Sequence, residues 1–92
     1  MRSYVSAEFI EQLRRAPIYI RREAKRAYRL FRKNPDHPQL HFEPKRDKKS
    51  PLWTARIFNT GWRVVGLKKD GAMYWDFLGP HDAYMKELRK YK

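Results

Sequence analysis

The sequence predicts one α+β domain, in which two N-terminal helices pack on a three- to four-stranded antiparallel sheet and a short C-terminal helix follows. Three observations predict this class: helical spacing of apolar residues in the first third, strand-like alternation in the second half, and a length of 92 residues with no linker. Helices that are segregated from an antiparallel sheet form an α+β domain. We therefore expect residues 1–92 to form a single domain.

Two helices are expected before residue 34. Ser6 is a suitable N-cap for the first, and Pro17 ends that helix because its ring fixes φ and removes a donor. The second helix should run from about Ile18 to Lys33. Its apolar stripe is spaced four, three and four residues apart, as expected for a helix packed on one side, and consists of Ile20, Ala24, Ala27 and Phe31.

The chain after Asn34-Pro35 is predicted to form the sheet. The expected strands are 39–42, 52–58, 62–67 and 72–78, with turns at Thr60-Gly61 and Asp70-Gly71, and the last helix should span about 82–89. One face of such a sheet packs on the helices, and the other can stay open and carry polar groups. We expect functional side chains on that open face.

The composition is strongly basic. Lys and Arg number 22 against 10 acidic residues, which gives a formal net charge of +12. Such a charge favours a polyanionic or acidic partner. The absence of cysteine excludes disulfides and Cys-type zinc sites. No stretch is apolar enough to span a bilayer and the first residues lack a signal-peptide pattern, so we expect a cytoplasmic protein with no membrane partner.

The basic residues fall into two candidate RNA-binding groups, one on the second helix and one in the loop 43–51. A solvated helix face is the simpler interpretation, but such faces usually mix charges, and this one carries Glu23 as its single acid. The candidates are Arg22, Arg26, Arg29, Lys45, Arg46, Lys48 and Lys49.

Four residues are candidates for chemistry on the open face: Arg56, Arg63, His81 and Tyr84. A turn at Thr60-Gly61 would pair Phe58 with Arg63 and put Arg56 and Arg63 on one face, whereas a three-residue loop would separate them. The set Trp62, Val64 and Gly66, which alternates with Arg63, favours the shared face. RNA cleavage by its own 2′-OH needs a proton acceptor, a proton donor and cations for the phosphorane, and His, Tyr and Arg supply these. His81 fits a capping role as well, and Tyr84 fits a core position.

A metal site is not expected. The three histidines show no recognised ligand spacing, and the sequence has no zinc signature, phosphate-binding glycine loop or nucleophile elbow. We therefore expect no metal and no cofactor.

The ordered set of features resembles the RelE/ParE superfamily of bacterial toxins, and within it the cytotoxic translational repressor branch. The resemblance covers nearly the whole chain and is carried by Ser6-Ala7-Glu8-Phe9, the break at Pro17, the run 31–42 (FRKNPDHPQLHF), the strands around 53–56 and 62–63, and the ending 75–84 (WDFLGPHDAY).

The resemblance implies the toxin of a type II toxin–antitoxin system. It implies an acidic antitoxin partner, contact with operator DNA only through the antitoxin complex, and metal-independent cleavage of mRNA in the ribosomal A site. Family sites use strand arginines and a C-terminal His or Tyr, which match Arg56, Arg63, His81 and Tyr84. Two alternatives stay open: a ParE-like inhibitor of DNA gyrase, and a non-catalytic RNA- or ribosome-binding module.

Overall fold

The computed structural model describes residues 1–91, so the last residue of the predicted 1–92 domain, Lys92, lies outside the described residues. Within this range the α+β class is confirmed: three helices pack on a five-stranded mixed sheet. The strands are β1 (Arg2–Val5), β2 (Glu43–Pro44), β3 (Leu52–Arg56), β4 (Trp62–Lys69) and β5 (Ala72–Pro80), and the helices are α1 (Ala7–Arg15), α2 (Ile18–Lys33) and α3 (His81–Leu88).

The strand order across the sheet is β1-β5-β4-β3-β2. The pairs from β2 to β5 are antiparallel, and β1 pairs with β5 in parallel. The prediction of three or four antiparallel strands did not include β1. This strand has four residues, which is too short for a clear alternation of apolar and polar side chains. The sheet is therefore mixed, with β1 and the two-residue β2 as its edges.

Both N-terminal helices are confirmed with their predicted limits. The Ser6 hydroxyl accepts a hydrogen bond from the Phe9 amide at 3.0 Å, which caps α1. Pro17 lies between the helices as the N-cap of α2. The apolar stripe of α2 buries Ile20, Ala27 and Phe31 against the sheet.

The strand predicted over 39–42 is wrong. Pro38–Leu40 forms a 3-10 turn, whose first residue suits the fixed φ of proline, and the His37 ring accepts a hydrogen bond from the Gln39 amide at 3.2 Å. His41 then adopts a left-handed conformation with φ 48°. Pairing with β3 begins after it, at Glu43.

The sheet buries side chains on both faces, which corrects the prediction of an open second face. The helix-side core contains Phe31, Leu40 and Trp75. On the opposite face α3 covers a second cluster, formed by Leu52, Val65, Phe77 and Tyr84. Polar groups on that face are therefore confined to the part that α3 leaves uncovered.

A β-bulge allows β5 to place side chains in both hydrophobic cores. The register shifts between Val65 and Gly66, which pair with Phe77 and Trp75 and leave Asp76 as the extra residue. Trp75 and Phe77 would share a face in a regular strand, but the bulge sends them to opposite cores. Gly66 is required there, because a Cβ atom would lie 2.6 Å from the Tyr74 carbonyl oxygen.

No helix within residues 1–91 has the length and apolar character needed to cross a membrane.

Candidate active site and nucleic-acid interface

Arg56 and Arg63 lie directly opposite each other on β3 and β4. The prediction that they share a face is confirmed, but the predicted pairing of Phe58 with Arg63 is wrong. The loop is longer than the expected two-residue turn: Ile57 bonds to Trp62, and the Thr60 hydroxyl donates to the Ile57 carbonyl at 2.7 Å. A four-residue loop leaves the same parity as a two-residue loop, so both arginines remain on the α3 side of the sheet.

Arg56 and Arg63 are partners in the register of β3 and β4, and neither is in any of the salt bridges found within residues 1–91. Burial lowers the pKa of Arg63, the positive charge of Arg56 lowers it further, and Tyr84 acts weakly in the opposite direction. The guanidinium nevertheless remains charged at neutral pH. Arg63 donates to the carbonyl of Trp62 at 3.4 Å, whereas Arg56 is exposed. The pair therefore concentrates positive charge at one end of the sheet, where an anion would be attracted.

His41 is a site residue that the sequence analysis missed. Its Nε2 atom lies 3.4 Å from Nη1 of Arg56, and the ring is exposed. Because a guanidinium can only donate, Nε2 acts as the acceptor in this contact, which places the proton of a neutral ring on Nδ1. Periodicity in the sequence does not single out His41, because its position depends on the preceding 3-10 turn and on its own left-handed backbone conformation.

His81 and Tyr84 lie on the other side of the arginine pair, in the first turns of α3. The strand β5 continues to Pro80, so His81 begins the helix and is exposed. The two ring centroids are 6.0 Å apart. Tyr84 is only 5% exposed, and its ring packs on Leu52, Val65 and Phe77. His81 is thus on the surface, two residues after Gly79, which is the β5 partner of Arg63, and Tyr84 belongs to the second core.

Across the sheet the site forms one row. Gly79 on β5 pairs with Arg63, Arg63 pairs with Arg56, and Arg56 contacts His41. His81 follows two residues after Gly79. His41 therefore lies at the Arg56 end of this row, and the chain leads from Gly79 at the other end into α3, where His81 begins the helix.

The seven residues predicted to bind RNA are all exposed, and they divide between two places. The predicted loop 43–51 begins with β2, and in the segment 45–51 that follows it the Lys45 ammonium lies over the Tyr84 ring, 5.6 Å from the ring centroid, which brings this basic segment next to the site. On α2, Arg26 stacks over the Phe58 ring at 5.3 Å and pairs with Glu23 at 2.7 Å. Arg22 and Arg29 share the exposed side of the same helix.

An apolar groove of about 530 Å³ lies between α1, α2 and the helix side of the sheet. Val5, Phe9, Leu13 and Tyr28 are among the apolar residues that line it. Three basic residues of α2 also line it, and no acidic residue does: Lys25, Arg29 and Arg32. A groove with this lining suits an apolar segment that carries carboxylates.

Among residues 1–91, no three or more His, Cys, Asp or Glu side chains come together in a group that could hold a metal ion.

The fold is that of several solved toxin structures. The isolated RelE toxin of E. coli aligns with a TM-score of 0.65 over 99% of this chain and 98% of its own, at 11% identity. The chain has the RelE toxin fold. A chain of the RelB–RelE antitoxin–toxin complex from Methanococcus jannaschii aligns with a TM-score of 0.65 at 13% identity, over 92% of this chain and 98% of its own.

YafQ from E. coli strain BL21(DE3) shares the same fold, with a TM-score of 0.63 and 16% identity over 91% of this chain and 98% of its own. The sequence itself matches no family profile and no curated protein. At these identities the RelE-type likeness describes how the chain folds. The chemistry has to be argued from its own residues.

Proposed function

We propose that this chain is the toxin of a type II toxin–antitoxin pair and that it cleaves mRNA in the ribosomal A site. The observation that carries the proposal is the register pair of Arg56 and Arg63 with an exposed histidine near each: His41 contacts Arg56, and His81 follows two residues after Gly79, the β5 partner of Arg63. The RelE-type fold and the net charge of +12 support the same assignment.

The reaction assigned to this row is internal transfer within the RNA chain. A base takes the proton of a 2′-OH, its oxygen forms a bond to the adjacent phosphorus, and the bond from phosphorus to the 5′ oxygen breaks. An acid gives a proton to that leaving oxygen, so the products are a 2′,3′-cyclic phosphate and a 5′-hydroxyl. The attacking and leaving oxygens lie on opposite sides of phosphorus, which suits an acid and a base at opposite ends of the row.

The arginines hold the charge that builds on the phosphorane, because a guanidinium donates in a fixed fork and does not lose its proton. His41 and His81 are the proton-transfer groups at the two ends. Tyr84 supports α3 beneath His81, and its phenol is the remaining candidate for proton transfer close to Arg63. Neither step calls on a metal ligand or a cofactor.

The acidic partner of the pair is proposed to dock in the apolar groove. The groove offers apolar lining with basic residues and no acidic one, which matches an amphipathic acidic segment. A solved structure of the same fold is an antitoxin–toxin complex. Operator DNA would then be contacted through that partner, and the cytoplasm is the compartment in which such a pair acts.

The test is expression of the chain without its partner, followed by mapping of mRNA 5′ ends. Growth arrest with cleaved mRNA is the expected result, and the double variant Arg63→Gln, His81→Ala should lose both effects. Arg2→Gln, an exposed arginine on β1, is the control. Arrest with intact mRNA, or DNA breaks in place of RNA cleavage, would overturn the nuclease assignment in favour of a gyrase target.

A further inference from the structure

A second cavity, the basic cleft, opens at the end of α2 beside the loop that follows β3. Its volume is about 350 Å³. It is lined by Arg26, Arg29, Leu30, Lys33, His37, Gln39 and Phe58, so its ionisable side chains include three cations and no acid.

The cations of the basic cleft stand on one side of α2. Arg26, Arg29 and Lys33 are spaced three and four residues apart, which places them on one face of the helix. Like charges at this spacing cost a helix a few tenths of a kcal/mol per pair. The single acid of α2, Glu23, neutralises only Arg26. Arg29 and Lys33 form none of the salt bridges found within residues 1–91.

The neutral groups of the cleft add further donors. The His37 Nδ1 atom accepts the Gln39 amide hydrogen at 3.2 Å, so in the neutral ring the proton is on Nε2, which can donate. The Gln39 side chain is exposed and can both donate and accept. The guanidinium of Arg26 stacks over the Phe58 ring, with its central carbon 5.3 Å from the ring centroid. A cleft rich in donors and poor in acceptors fits the oxygens of a phosphate.

The basic cleft is joined to the arginine row by two short stretches of chain. Phe58 follows Arg56 by two residues, and Gln39 precedes His41 by two residues. Two residues of chain span at most about 7 Å. The span is shorter here, because Gln39 lies in the 3-10 turn and His41 and Phe58 both have a φ of 48°. One strand of RNA could therefore pass around the end of β3 and contact both places.

From this juxtaposition we infer that the basic cleft is a phosphate subsite for the single-stranded RNA that enters the arginine row, one or two nucleotides away from the cleaved bond. The inference rests on the proposed function for the identity of the RNA. An acidic protein segment is the competing occupant, but apolar lining for such a segment is concentrated in the apolar groove, whereas Leu30 and Phe58 are the only apolar side chains that line the cleft.

Binding of a non-cleavable RNA tests the subsite separately from the nuclease proposal. The ligand is a fluorescent, fully 2′-O-methylated RNA of about 12 nucleotides, which lacks the attacking hydroxyl. Its affinity is measured by anisotropy between about 50 and 200 mM KCl. The test variant is Arg26→Gln, Lys33→Gln, because these two residues line the cleft and not the apolar groove, which Arg29 also lines. The matched control is Arg14→Gln, Arg15→Gln. The control removes the same charge from an exposed part of α1.

The expected result is a less steep salt dependence for the cleft variant alone. A single-stranded contact contributes about 0.7 to the slope of log K against log salt, so the loss of two contacts should lower it by about 1.4. The control should change the slope by much less. Equal changes in the two variants, or no change in either, would overturn the subsite.

Poly-glutamate serves as a second ligand in the same assay. If the cleft variant loses poly-glutamate binding and keeps RNA binding, the cleft is a protein-docking surface and the inference is wrong. The protein could bind this RNA in the cleft without cleaving mRNA, which would count against the nuclease proposal alone. It could also cleave mRNA without binding RNA in the cleft, which would count against the subsite alone. The two failures are therefore distinguishable.

Discussion

At the scale of single residues, the pair Arg56 and Arg63 destabilises the fold while it supports the proposed cleavage of RNA. Arg56 and Arg63 face each other across two strands, and like charges directly opposite in a sheet are destabilising. The pKa of Arg63 is lowered by burial and by Arg56. For a cation, a lowered pKa means that its charged form is less favourable in the folded chain than in the unfolded one. The cost therefore persists at all pH values at which Arg63 is charged, including neutral pH.

Replacing one arginine of the pair should stabilise the protein while it abolishes the chemistry. We expect Arg56→Gln to raise the free energy of unfolding by about 0.2–1 kcal/mol, because it removes the opposing charge. Cleavage should fall about 10²- to 10³-fold, as for loss of one transition-state donor. Urea denaturation and an mRNA cleavage assay measure the two effects. The control Arg2→Gln, an exposed arginine on β1, should change neither by a comparable amount, and a destabilised Arg56→Gln would contradict the account.

Tyr84 allows packing and chemistry to be separated. Tyr84→Ala should cost about 3–5 kcal/mol, because it leaves a cavity between α3 and the sheet. Tyr84→Phe keeps the ring and should leave the urea midpoint nearly unchanged. If the phenol only supports α3, Tyr84→Phe also keeps cleavage within a few-fold of wild type, whereas a drop of 10² or more would assign proton transfer to the phenol.

At the scale of elements, local signals were sufficient for the helices and insufficient for the edges of the sheet. Ser6 begins α1 by accepting a backbone hydrogen bond, and Pro17 separates α1 from α2 because proline has no backbone N–H to donate. Both effects depend only on residues nearby in the sequence. The strand β1 and the bulge at Gly66 depend on pairing with distant strands. His41 was not predicted as a site residue for the same reason, because only the folded 3-10 turn brings it into contact with Arg56.

One long-range hydrogen bond anchors α1 to the sheet. The side-chain oxygen of Gln12 accepts the Leu78 amide at 2.8 Å, across 66 residues of chain. Gln12→Leu would leave the amide of a buried residue without its acceptor, so we expect a loss of about 1–3 kcal/mol. The control is Gln39→Leu, an exposed glutamine outside α1. Thermal denaturation followed by circular dichroism compares them, and equal midpoints for the two variants would show that this bond contributes little.

At the scale of the whole molecule, composition indicated the kind of partner and the fold determined where it could bind. The charge of +12 predicts a polyanion or an acidic protein, and the structure offers a different surface for each. The apolar groove suits an acidic segment, and the arginine row with the basic cleft suits RNA. Sequence analysis could predict Arg56 and Arg63 on one face from the alternation of apolar residues in the strand after the turn, but it could not predict that α3 would cover the rest of that face.

The central claim is that the row from His41 to His81 cuts RNA by attack of its own 2′-OH, and the most direct measurement is the chemistry of the cut ends. Purified protein is added to ribosomes stalled with an open A site, and the mRNA fragments are analysed by mass spectrometry. We predict fragments that end in a 2′,3′-cyclic phosphate, paired with fragments that begin with a 5′-hydroxyl, and a rate about 10²- to 10⁴-fold lower for His81→Ala. Intact mRNA, 5′-phosphate ends, or an unchanged rate for both His81→Ala and His41→Ala would contradict it.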